Sequence, residues 1–333
     1  MAKRPWYRRP ARVIPTGFLA AGVIVAIVAY VSPWPTSLAI RALFEYNAAK
    51  TVTDMEPFVP DGVHETQAGG MDVFSPSETS GPLPTVVWIH GGAWISGDKS
   101  NIDPYIRIIA ARGFTTVGVN YTIAPEATYP TALTQLNDSL AYLVAHADEL
   151  RIDPDNIVIA GDSAGAQFTA QLATLITSPT YAKTVGITPA LDKDQLTAVV
   201  LNCGIFDVSG IPDAPGIGGW GFRTALWAYL GTKDWSHTAG GEQMGTLDDV
   251  TADFPQTWIS GGNDDPLTAN QSKPFAARLS ALGVPVTTVF YADDHLPALP
   301  HEYQFHLDLD DAQAALESTV AFLKAVTIPP ELG

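Results

Sequence analysis

The chain of 333 residues predicts an α/β fold, a mostly parallel sheet with helices on both faces. Three observations carry this. From Thr85 onward, short apolar runs rich in branched residues alternate with helix-period segments, as buried parallel strands and their crossover helices require. A hydrophobic content of 46% with 16% charge describes a globular chain, not a disordered one. The length suffices for one large core, and no internal repeat divides it.

In order, Thr36–Glu56 reads as a helical approach segment, and Val63–Phe74 as a hairpin around Gly69-Gly70. Pro76–Pro84 is loop. Thr85–His90 is a buried strand, followed by a glycine loop and a helix over Asn101–Arg112 that Gly113 stops. Thr115–Asn120 is the next strand and Tyr129–Glu149 the next helix. Ile157–Ala160 is a strand that runs straight into a helix with Phe168, Leu172, Leu175 and Ile176 on its apolar side. Ala198–Asn202, Thr257–Gly261 and Val286–Tyr291 are further strands, with helices over Gln271–Leu282 and Asp311–Ala325. An insertion at about 207–254 breaks the rhythm and contains Trp220, Phe222, Trp227, Tyr229 and Trp235. It is expected to cap the carboxyl ends of the strands, where open α/β sheets bind ligands.

The amino terminus has a different character. Residues 1–12 hold five basic residues and no acidic one, and no charge occurs from Val13 to Ile40. Val13–Val31 is 19 residues, about 28 Å as a helix, which nearly matches a bilayer core. Ala29-Tyr30-Val31 makes a poor cleavage site, so a single transmembrane anchor over 13–35 is expected rather than a cleaved signal peptide. The basic head at 1–12 would stay in the cytoplasm and the rest, from an approach segment at 36–70 to the main α/β domain at 71–328, outside. The alternative is secretion after cleavage. Net charge is −17, which becomes −22 beyond residue 12. So acidic a surface repels polynucleotides, and no nucleic-acid partner is expected.

Two motifs carry chemistry. Gly161-Asp162-Ser163-Ala164-Gly165 lies between a strand and a helix, the context that makes Gly-x-Ser-x-Gly a nucleophile elbow presenting Ser163. Upstream, a strand runs into His90-Gly91-Gly92-Ala93-Trp94. Consecutive glycines let backbone amides approach a substrate oxygen, so Gly91 and Gly92 are expected to form an oxyanion hole with the amide of Ala164. Cys203, the only cysteine, sits in an apolar run and reads as a buried small hydrophobe. There is no zinc-ligand spacing, phosphate loop or dinucleotide fingerprint, and no cofactor is called for.

Together with Asn120-Tyr121 and Ala124-Pro125-Glu126, these motifs resemble the hormone-sensitive-lipase-like branch of the α/β-hydrolases over roughly Met71–Val326. Ala93 departs from the usual third glycine, and Thr122-Ile123 from the usual Tyr-Arg-Leu. The resemblance implies an α/β-hydrolase fold with residues in the order Ser, acid, His. The family's Asp-Pro-Leu matches at Asp265, with Asp264 as the rival acid. For the base, His301 matches the pattern of His followed two residues on by an aromatic (Tyr303), while His295 lies close to the usual spacing after its strand; His306 heads into an acidic stretch. The resemblance implies hydrolysis of carboxylic esters through an acyl-enzyme, and the aromatic-rich insertion suggests short- to medium-chain acyl or aryl esters as the small-molecule substrate. An exopeptidase of the same fold and a non-catalytic ligand-binding homologue are the alternatives.

Overall fold

A computed structural model describes residue 22, residues 27–211 and residues 216–328. Eight strands form one sheet in the order β1-β2-β4-β3-β5-β6-β7-β8. They are β1 Val63–Ala68, β2 Met71–Pro76, β3 Leu83–Ile89, β4 Thr115–Val119, β5 Ile152–Asp162, β6 Leu196–Asn202, β7 Gln256–Gly261 and β8 Val286–Phe290. Strand β2 is antiparallel to both neighbours, and every other pairing is parallel. The apolar runs of the central strands follow from burial on both faces. Val87, Ile89, Ile157, Ile159, Val199 and Leu201 point into one core. Val86, Trp88, Val158, Ala160, Ala198 and Val200 point into the other.

Ten helices flank the sheet among the described residues: α1 Trp34–Met55, α2 Asp103–Ala110, α3 Thr131–Ala145, α4 Ala147–Leu150, α5 Ala164–Thr177, α6 Pro179–Val185, α7 Gly216–Leu230, α8 Ala239–Met244, α9 Lys273–Ala281 and α10 Asp310–Thr327. The expected helix over Gln271–Leu282 begins as a π-turn over Thr268–Ser272 before α9. The expected Tyr129–Glu149 helix breaks at His146, which separates α3 from α4. Helix α6 was not expected, because its apolar residues are too few to show a period.

The basic head and residues 13–21 and 23–26 of the expected transmembrane anchor lie outside the described residues. Among those described, no helix is long and apolar enough to cross a membrane. Helix α1 buries little of its own surface, with Trp34, Leu38, Leu43 and Phe44 exposed. It is held instead by Arg41. That guanidinium makes a bidentate pair with Glu126 (2.6 Å each) and donates to the carbonyls of Ile95 (2.6 Å) and Ala124 (2.8 Å).

The insertion supplies α7 and α8 and packs over the carboxyl ends of β3 and β5. Tyr229 of α7 stacks on Trp94 at 5.9 Å and meets Phe168 of α5 edge-on at 6.0 Å. The carbonyl of Met244 accepts from Gln167 of α5.

Candidate active site

Strand β5 ends and α5 begins around Ser163, whose backbone is forced into φ 50° and ψ −116°. Such a turn closes only if its flanks are bare. A Cβ on Gly161 would stand 2.5 Å from the Gly165 carbonyl, and one on Gly165 only 1.9 Å from the Ile89 carbonyl on β3. The tightness that excludes side chains there thrusts Ser163 out at the strand end, beside the positive end of α5.

His301, on the loop that follows β8, meets it. Ser163 Oγ lies 3.0 Å from His301 Nε2, and His301 Nδ1 lies 2.9 Å from Asp265 Oδ2. A carboxylate only accepts here, so the ring proton sits on Nδ1, leaving Nε2 to accept from the serine hydroxyl. The second oxygen of Asp265 accepts from the Leu267 amide at 2.8 Å, which fixes the carboxylate, and its side chain is fully buried. The two loops that bring acid and base together pack backbone against backbone. A Cβ on Gly262 would stand 2.1 Å from the Leu299 carbonyl, and Asn263 ties to Leu299 and His295.

The rival residues stand elsewhere. Asp264 is exposed, with its amide bonded to the Leu299 carbonyl. His295 Nε2 bonds Asp311 of α10 at 2.9 Å, with its ring against Tyr291. His306 lies past the turn over Tyr303–Phe305.

The expected oxyanion hole needs correction. The Gly91 amide already donates to Asp162 Oδ2 at 2.8 Å, and Trp88 Nε1 donates to the other oxygen at 2.8 Å. Gly91 therefore has no amide to spare. Among the described residues, the amides of Gly92, Ala93 and Ala164 meet no acceptor. The unengaged amides of this loop are thus those of Gly92 and Ala93, one residue further on than the expected pair of Gly91 and Gly92. The loop is strained, with φ of 111° at Gly92, 51° at Ala93 and 61° at Trp94. Holding two non-glycine residues there costs about 1–2 kcal/mol each. Trp94 offsets this by burying its ring completely and donating to Gln167 Oε1 at 3.0 Å.

Electrostatics follow from burial. Burial disfavours a charged His301; a Cys203 thiolate, the Asp265 hydrogen bond and Glu302 favour it, and the ring is held well above its ordinary value. Burial pushes the Cys203 thiol itself up to about 11, so near neutral pH it is uncharged and Asp265 and Glu302 carry that support. Burial, then the nearby Glu302 charge, raise Asp162 well above the usual carboxylate range, opposed by its two donors. His90 is pushed down to about 4 by burial. Its ring stacks on Tyr121 at 4.4 Å and bonds the Gly91 carbonyl, so it shapes the loop as a neutral imidazole. Cys203, Asp265 and His301 place three donor atoms within 4.8 Å of one another, but a cation there would have to break the Asp265–His301 hydrogen bond.

Residues 71–279 match the BD-FAE family. An acetyl esterase of Salmonella paratyphi B is 37% identical over 95 residues, 28% of this chain and 29% of that protein. An alpha/beta hydrolase of Acanthamoeba polyphaga mimivirus is 31% identical over 127 residues, 38% of this chain and 36% of that protein. The matched stretches thus span about a third of the length of these curated relatives. Esterase B from Lactobacillus rhamnosis superposes with a TM-score of 0.74 at 22% identity, over 88% of this chain and 96% of that one. A bacterial heroin esterase does so with a TM-score of 0.67 at 22% identity, over 86% of this chain and 90% of that one. At such identities these two structures speak to the fold, which they share.

Proposed function

Since the chain belongs to the BD-FAE family, in the esterase branch of the α/β-hydrolases, we propose that it is a serine hydrolase of carboxylic esters with Ser163 as nucleophile, His301 as base and Asp265 as its orienting acid. The observation that carries this is the unbroken relay of 3.0 Å and 2.9 Å from Ser163 Oγ through His301 to Asp265. The hydroxyl proton passes to Nε2 as Oγ attacks the ester carbonyl. The oxyanion is held by the amides of Ala164, Gly92 and Ala93, each such donor being worth about 10²–10³ in rate. His301 then gives its proton to the departing alcohol, and water, activated by the same ring, releases the acyl group from Ser163.

The aromatic-rich insertion that packs over the strand ends supports short- to medium-chain acyl or aryl esters as substrates. A binding role without turnover has less support, since the base stands within hydrogen-bonding reach of the serine. The basic head and apolar stretch at 13–31 support a domain tethered outside the cytoplasm; retention in alkali-washed membranes tests that. For the chemistry, a fluorophosphonate probe should label Ser163 in the native protein and fail to label Ser163→Ala. Turnover across 4-nitrophenyl esters of increasing acyl length should fall beyond the medium chains. Absence of labelling in folded wild-type protein would overturn the assignment.

A further inference from the structure

Glu302 follows His301 directly, and none of the steps above uses it. Its backbone is left-handed, with φ 60°, and this turns the side chain back toward the nucleophile. Oε1 lies 3.8 Å from His301 Nε2 and 3.0 Å from the point where a Cβ on Gly91 would stand. Asp162 Oδ2 comes within 2.4 Å of the same point. Among the described residues no lysine or arginine pairs with Asp162, Asp265 or Glu302, and Glu302 has no charged partner besides the ring of His301. Asp162 and Asp265 are buried and have their donors, whereas the Glu302 side chain keeps 35% of its exposure. It is the carboxylate at this site left open to a bound molecule.

Its position says which half of a substrate it meets. Nε2 is the atom that protonates the departing alcohol, so a group a few ångströms from Nε2 faces the alcohol half of the ester, not the acyl half. We propose that Glu302 is a recognition carboxylate for the alcohol half, and that the preferred esters carry a cationic group, an ammonium, near the ester oxygen. This rests on the ester-hydrolase reading. A full Coulomb attraction at such separations is reduced by the exposure of the glutamate, leaving about tenfold in kcat/KM. An anionic alcohol half is disfavoured by the same field, which the −22 charge beyond residue 12 reinforces.

Two acetate esters of nearly identical shape test this: the choline ester, which carries a quaternary ammonium, and 3,3-dimethylbutyl acetate, its neutral isostere. kcat/KM is measured for both with the full-length protein and with Glu302→Gln and Glu302→Gly, glycine being at ease in the left-handed backbone. The expected wild-type ratio, cationic over neutral, is about tenfold at low salt and shrinks as salt is added. In both variants it falls toward one; a general loss of catalysis acts on both esters and cancels. A wild-type ratio near one, or a ratio unchanged in the variants, overturns the proposal. If neither isostere is hydrolysed while 4-nitrophenyl acetate is, the proposal also fails. If 4-nitrophenyl acetate too is untouched, the ester-hydrolase reading fails with it. Should the variants not fold, the wild-type ratio and its salt dependence still decide.

Discussion

Gly165→Ala adds one methyl group at the most crowded point of the elbow. Its Cβ would stand 1.9 Å from the Ile89 carbonyl and 2.7 Å from that of His90, where 3.4 Å is ordinary contact. Both neighbours are backbone at the end of a central strand, so no side chain can swing aside. Helix α5 and strand β3 would have to part by about 1.5 Å. The parting separates Ala164 from Gly92 and Ala93, whose amides must converge on one oxygen. A displacement of about 1 Å already costs on the order of 10²-fold in rate, and overpacking of this kind costs about 3 kcal/mol. Gly218→Ala is the matched control. It lies in α7 with nothing within 4 Å of the added methyl and should be neutral or stabilising by up to about 1 kcal/mol. Urea unfolding and kcat/KM on a neutral ester, measured for both variants, give the comparison. A Gly165→Ala protein as stable and as active as the control would refute the steric reasoning.

Three further outcomes are expected. Arg41→Ala frees two backbone carbonyls and the Glu126 carboxylate, and urea midpoints should report a loss of about 2–3 kcal/mol; a loss under 0.5 kcal/mol would show that α1 is held by something else. Asp103 is raised to about 7, by burial first and by Asp72 second, and one of its oxygens has no partner. Its folded form keeps the proton longer than the unfolded chain does, so this group's contribution is complete below about pH 4 and is lost as pH climbs through about 7. Asp103→Asn should therefore be more stable than wild type at about pH 8 by about 1–2 kcal/mol, after allowing for partial exposure, with the gain fading toward about pH 4; a gain independent of pH would contradict this. Finally, kcat/KM should rise with pH as His301 becomes neutral, and Glu302→Gln, which removes a charge that favours the protonated ring, should move this acid limb to lower pH. A limb that stays in place in Glu302→Gln would show that the glutamate does not act on the ring.

Much of the fold was legible because burial on both faces leaves a plain mark. Strands such as Thr85–His90 and Ala198–Asn202 are continuous apolar runs, and every second residue serves the opposite core. The elbow was legible for a steric reason, since only glycine fits at 161 and 165. The position of the amides was not. That the Gly91 amide belongs to Asp162 depends on a contact across 71 residues, although the aspartate beside the nucleophile was a hint: a buried carboxylate needs donors, and the nearest loop had to supply them. Two histidines on one loop could not be separated by spacing, because the choice depends on how Asn263 and Gly262 lock that loop against the acid loop. Arg41 gave no sign in its own helix, as all its partners lie at least 54 residues away.

Paired histidine variants test the relay most directly. With 4-nitrophenyl acetate as substrate, His301→Ala should lose at least about 10³-fold in kcat, as removal of a relay base does. His295→Ala, which breaks only the bond to Asp311, should stay within about threefold of wild type. A His301→Ala protein with near wild-type turnover, or a His295→Ala protein that loses as much as His301→Ala is expected to lose, would contradict the assignment of Ser163, His301 and Asp265 as the working triad.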